Sequence, residues 1–170
     1  MAIRDVVTHP ADILRRKAHK VSDFGAELQN LINDMVDTMR DEPGVGLAAP
    51  QVGVSLRLIV VEYGDEEDEE KPPKLFVVTN PEIVRQSQEM IMGVEGCLSI
   101  PGYAGEVERA IEVTVKGQNR RGKPVKIKAK GWLARIFQHE VDHLNGVLFI
   151  DRAEKVWKIE EEETPPVAAD

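Results

Sequence analysis

Cysteine occurs once in 170 residues, at Cys97, so no internal disulfide can form. Long apolar runs are also missing. None approaches the roughly 18 residues that a membrane-crossing helix needs, so a membrane is not expected as a partner. Nothing in the sequence points to DNA, and no internal repeat is present. After Met1 there is no Arg- and Ser-rich leader, so a cytoplasmic protein is expected rather than an organellar precursor. A chain of this length is expected to form one domain over residues 1–152. Residues 153–170 would be a C-terminal segment ending in an acidic, disordered tail.

The net charge is −8, but its distribution says more than its size. Seven of the nine residues at 62–70 are acidic, and residues 160–163 add four more acids. Without those eleven, 22 bases face 19 acids and the remainder is +3. Residues 64–73 therefore read as a solvated loop between strands, and 160–170 as a tail. Basic residues gather elsewhere. From Lys116 to Lys130 there are seven bases (Lys116, Arg120, Arg121, Lys123, Lys126, Lys128, Lys130) and no acid. Lys126, Lys128 and Lys130 alternate with Ile127 and Ala129, which puts three ammoniums on one face of a strand, the ordinary pattern of a solvated hairpin.

Leu28, Leu31, Ile32, Met35, Val36 and Met39 recur at helical spacing. They predict an amphipathic helix over 25–41, capped by Ser22-Asp23 and stopped near Pro43-Gly44. Short β-rich runs follow at 56–63, 75–79, 83–88, 107–116 and 124–129. Strands bunched between helices read as an α+β fold.

The last helix carries the chemistry. Between Gly131 and the stop signal Asn145-Gly146, no Pro or Gly interrupts the run that contains His139-Glu140-x-x-His143. Positions four apart on a helix lie one above the other, so both imidazoles can reach one divalent ion. Glu140 then lies beside that ion, able to move protons to and from a water. Chance occurrence of the motif in this composition is on the order of one in a hundred. Trp132 and Ile136 share the stripe of the two histidines, while Leu133, Phe137, Val141 and Leu144 make the helix apolar nearly all round. It should therefore be central. Two histidines leave a catalytic site one protein ligand short. Cys97 is the candidate, because flanking Gly96 and the Ser-x-Pro after it favour a tight, irregular backbone over a plain strand.

Gly44-Val-Gly-Leu-Ala-Ala-Pro-Gln51, Glu95-Gly-Cys-Leu-Ser99 and Gln138-His-Glu-Val-Asp-His-Leu144 together resemble the three signature segments of peptide deformylase, in that family's order. The resemblance runs from about Asp5 to Arg152. It implies antiparallel β-sheets packed around a central helix that bears the His-Glu-x-x-His motif. The implied reaction is hydrolysis of the N-formyl group of the initiator formyl-methionine on nascent polypeptides. It further implies Cys97, His139 and His143 as metal ligands and Glu140 as general base, then general acid. Gln51 and the backbone N–H of Leu98 would be donors to the oxyanion. The implied metal is Fe(II), with Zn(II) or Ni(II) as substitutes; the donor set itself does not choose among them. Gly44 and Gly46 fit a segment that approaches the substrate closely or takes positive φ, and Val45, Trp132 and Ile136 are candidates for the methionine slot.

Two rivals stand beside this reading. A His-Glu-x-x-His metallopeptidase would take its third ligand downstream of the helix, whereas Cys97 lies upstream. A catalytically silent metal-binding relative would have no need of Glu140 or Gln51. The resemblance also raises the ribosome, near its exit tunnel, as a partner for the basic segment. An acidic C-terminus departs from the basic C-terminal helix by which some members are thought to dock there.

Overall fold

The computed structural model describes residues 2–64 and 70–159. Most of the acidic run (65–69) and the tail (160–170) lie outside the described residues. The main helix α1 spans Ala26–Asp41, and the eight strands are β1 (Gly46–Ala48), β2 (Leu58–Tyr63), β3 (Lys74–Gln86), β4 (Met90–Cys97), β5 (Ile100–Ala110), β6 (Glu112–Gln118), β7 (Pro124–Lys130) and β8 (Lys155–Lys158). Between β7 and β8 come α2 (Gly131–Leu144) and the single turn α3 (Phe149–Arg152). Five strands form one sheet in the order β1-β2-β3-β6-β7, and three form another in the order β4-β5-β8. The strand pairings among the described residues are antiparallel, and the fold is α+β as expected.

Helix α2 touches β1, β2, β3, β6 and β7 of the larger sheet and β5 of the smaller one. Its residues from Ala134 to Leu144 are all buried, which is what an all-round apolar helix requires. The sheet accommodates it through β2. Ile59 and Val61 pack with Ile136, Phe137 and Val141 of α2. Leu58 and Val60, pointing the other way, pack with Leu28, Leu31, Ile32, Met35 and Met39 of α1. Because both faces of β2 are covered, its sequence is a continuous apolar run and not an alternation. A third cluster, including Leu14, Cys97, Ile100, Val107, Leu148 and Phe149, fills the smaller sheet.

Several boundaries differ from the sequence reading for identifiable reasons. The expected break between 75–79 and 83–88 is a bulge inside one strand, β3. Asn80 takes a φ of 49° there, and its side chain holds the distortion by bonding both Val21 N–H and Val21 C=O as well as Gln118. Conversely, the run 107–116 is two strands, because the chain changes sheets at Ile111 between β5 and β6. Ser22-Asp23 does not cap α1. The N-cap is Gly25, whose N–H is taken by Asp23 Oδ1 from outside the helix. Gly146 ends α2 as the Asn-Gly signal requires, with φ of 75° in the left-handed region. Beyond residue 152 the chain pairs again, β8 lying along β5 from Tyr103↔Lys158 to Glu106↔Lys155.

Candidate metal centre

Strand β4 runs regularly to Gly96, shifts register at Cys97, and turns back through Leu98 and Ser99 into β5. The irregularity expected around Cys97 is therefore confined to that register shift and a two-residue turn. The turn presents the Cys97 thiol to α2, one helical turn of which separates His139 from His143. Cys97 Sγ is 3.5 Å from His143 Nε2, and His143 Nε2 is 3.2 Å from His139 Nε2. Ligand atoms of the three residues all lie within 4.8 Å of one another, and all three side chains are buried. Around a tetrahedral ion with metal–nitrogen and metal–sulfur bonds of about 2.0 and 2.3 Å, N···N and S···N separations come to about 3.3 and 3.5 Å. The donor set fits such an ion.

Glu140 follows His139 on α2 and is 1% exposed, with its carboxylate against Gly46 of β1. A Cβ at Gly46 would stand 2.6 Å from Glu140 Oε2, so any side chain here would push that carboxylate aside. Neither Gly46 nor Gly44 has positive φ; Gly44 donates its N–H to Met39 C=O at the end of α1. Gln51, fully buried in the short 3-10 turn Ala49–Val52, is held by its own backbone neighbourhood: Oε1 accepts from Ala48 N–H at 3.0 Å. Its Nε2 is thereby aimed at Ser99 Oγ (3.1 Å) and Cys97 Sγ (3.6 Å). Leu98 follows Cys97 in the turn and packs toward the α1 cluster. Val45 and Trp132 are half-buried against the α2 core, whereas Ile136 is 1% exposed within it.

A buried charge network stands behind the donors. Glu95, two residues before Cys97, is fully buried and accepts from His139 Nδ1 at 2.8 Å. Such a carboxylate fixes the imidazole tautomer, leaving Nε2 with its lone pair toward Cys97 and His143. Arg109 forks onto the same carboxylate through Nε and Nη2, both at 2.9 Å, and reaches Asp142 Oδ2 at 2.7 Å. Arg135 adds a bond to Glu95 Oε2 at 2.6 Å, and Arg152 a fork onto Asp142 at 2.6 and 3.0 Å. Burial alone would raise the Glu95 carboxyl, but the Arg109 and His139 bonds hold it well below the usual carboxylate range. The Phe149 ring stacks on His139 with centroids 6.3 Å apart. Sequence reasoning missed this layer. Glu95 stands in the Cys97 segment and Asp142 inside the His-Glu-x-x-His motif, but Arg109 is brought in from a different strand with no local pattern to mark it.

Three surface cavities of about 470, 580 and 730 Å³ are lined by residues other than these. A family model described as polypeptide deformylase matches residues 3–158. The chain belongs to the polypeptide deformylase family. Its similarity to the peptide deformylase of Natranaerobius thermophilus is 47% identity over 161 residues, covering 95% of this chain and 99% of the relative. The crystal structure of a peptide deformylase from Legionella pneumophila superposes with a TM-score of 0.81 at 49% identity, covering 90% and 87% of the two chains. The Met-Ala-Ser-bound class I type b peptide deformylase from Acinetobacter baumannii gives a TM-score of 0.82 at 42% identity, covering 89% and 98%. Peptide deformylases are metal-dependent hydrolases that remove the N-formyl group from nascent peptides, and this chain is one of these enzymes. No helix among the described residues is long and apolar enough to cross a membrane.

Proposed function

We propose that Cys97, His139 and His143 hold Fe(II), with Zn(II) or Ni(II) able to substitute, and that the reaction occurs beside them. The observation that carries this reading is the convergence of one thiol and two imidazole nitrogens within 4.8 Å; Glu140 follows His139 on the same buried helix. When bound, the ion supplies Lewis-acid activation of water and of the formyl carbonyl. Glu140 accepts the proton of the attacking water and hands it to the departing amine. Gln51 Nε2 and the Leu98 N–H donate to the oxygen that gains negative charge; losing one such donor typically costs roughly 100- to 1000-fold in rate.

Strands β1 and β4 each stand at the edge of their sheet, and they flank the cluster: Gly46 of β1 touches Glu140, and β4 ends in Cys97. An extended N-terminal peptide can add its backbone to these edges, which leaves Gly44, Val45 and Gly46 as its neighbours on one side. The Acinetobacter protein's bound Met-Ala-Ser supports a peptide of this kind. Val45 and Trp132 would then contact the methionine side chain, with Ile136 supporting them from the core. The cytoplasm is the compartment in which such chains emerge.

The test is anaerobic turnover of formyl-Met-Ala-Ser with metal content measured on the same sample. Formate release with about one iron per chain is the expected result. One bound ion without formate release would overturn the reading in favour of a metallopeptidase or a silent binder.

The ribosome enters through the β6–β7 hairpin. Lys116 faces Lys126 directly across the pair, and Lys126, Lys128 and Lys130 are exposed. Glu82 of β3 stands across from Lys116 on its other side and supplies that lysine with a counter-charge, so the support for an RNA phosphate partner is the exposed row Lys126, Lys128 and Lys130 on β7. Reversing Lys126 and Lys128 to Glu should weaken ribosome co-sedimentation at low salt; unchanged binding dismisses the contact.

A further inference from the structure

Arg135 sits on α2 one turn before His139 and is 1% exposed, an unusual place for a guanidinium that contacts neither the candidate ligands nor solvent. Its Nη1 bonds Glu95 Oε2 at 2.6 Å and Val107 C=O at 2.9 Å, and its Nη2 bonds Ile91 C=O at 2.8 Å. The guanidinium thus ties the carboxylate to the backbone of both β4 and β5, while the Trp132 ring lies 5.3 Å from its Cζ. Room for it exists because position 93 has no side chain. A Cβ there would fall 2.7 Å from Arg135 Cζ, 2.8 Å from Nη2 and 3.0 Å from Nε. These atoms belong to a planar group bonded on two sides, so it has little freedom to move away.

We propose that Arg135 is a positioning residue: through Glu95 it fixes the ring of His139, and the bare backbone of Gly93 is the seat that admits it. Glu95 belongs to β4 and Arg109 to β5, and their two-bond fork reaches α2 at Asp142 and at His139. Arg135 adds a tie from α2 itself, one turn before His139, that bonds the carboxylate and the backbone of β4 and β5 at once. It thereby fixes where the Glu95 carboxylate stands relative to the helix that carries His139. Removing it leaves one oxygen of a buried carboxylate short of a charge-assisted bond and frees the acceptor that orients His139 Nδ1.

The inference rests on the assignment of His139 as a ligand, and the experiment separates the two. Affinity for Co(II) is measured by competition with a chelator on wild type, Arg135→Met, Arg135→Lys, Gly93→Ala, the Gly93→Ala/Arg135→Met double variant and His139→Ala. Thermal unfolding, kcat and KM for formyl-Met-Ala-Ser are measured alongside. Removing a partner of this kind typically weakens ion affinity by about 10- to 100-fold. That loss is expected for Arg135→Met, with kcat reduced and KM nearly unchanged, and Arg135→Lys should recover part of it. Gly93→Ala should reproduce the loss in wild type and add nothing once Arg135 is gone. A folded Arg135→Met protein with wild-type ion affinity overturns the proposal, as does a Gly93→Ala loss that adds in full to that of Arg135→Met. If Arg135→Met does not fold, Arg135→Lys and Gly93→Ala decide it: unchanged affinity in both overturns it. If His139→Ala also retains the ion, the ligand assignment fails instead.

Discussion

Replacing Glu140 by Gln is expected to leave ion content intact and to lower kcat for formyl-Met-Ala-Ser by about 100- to 10,000-fold, the range over which a positioned proton-transfer group contributes. The substitution keeps size and hydrogen-bonding shape, so Gly46 still packs against it, but an amide cannot accept the proton of the attacking water. Cys97, His139 and His143 remain in place, so ion content and kcat should separate cleanly. Retained turnover would remove Glu140 from the mechanism. Gly46→Ala should reach the same phenotype from the other side. The new methyl, 2.6 Å from Glu140 Oε2, forces the carboxylate to shift without changing its chemistry. Its kcat should fall while chelator-competition affinity stays near wild type.

Arg109→Met should cost the most stability. The side chain is 3% exposed and serves two buried acids, Glu95 and Asp142. Methionine fills much of the same space, so the loss is electrostatic. Arg135 stays on Glu95 and Arg152 on Asp142, but each carboxylate loses a short charge-assisted partner. Breaking a buried ion pair from one side typically costs about 3–5 kcal/mol. For a domain of this size each kcal/mol lowers Tm by about 2–4 °C, so a fall of about 6–20 °C is expected by calorimetry. Removing the exposed ion pair of Arg40 with Glu62 serves as the control and should shift Tm by far less, since exposed pairs contribute about 0–1 kcal/mol. Equal shifts for the two would show that the buried network is not what holds β4, β5 and α2 together.

The pattern of what was legible in the sequence follows from the range of the interactions. Helix α2, its Asn-Gly stop and the stacking of His139 over His143 are local consequences of residue spacing. They could be read directly, as could the amphipathic α1. Strand limits were less secure, because pairing partners set them. Whether Asn80-Pro81 breaks a strand or bulges it depends on Val21 and Gln118, which are remote in sequence. Likewise, nothing near Ile111 announces that the chain leaves one sheet for the other.

The candidate site divides in the same way. Residue types and their spacing set the donor chemistry: two imidazoles with a neighbouring carboxylate, and a single thiol. Folding in three dimensions is what carries Cys97, at the end of β4, to within 3.5 Å of His143 and joins Glu95, Arg109, Asp142 and Arg135 in one network behind it. Those residues come from two strands and a helix. A buried charge is stable only beside its counter-charge, and chain folding, not sequence proximity, brings the two together.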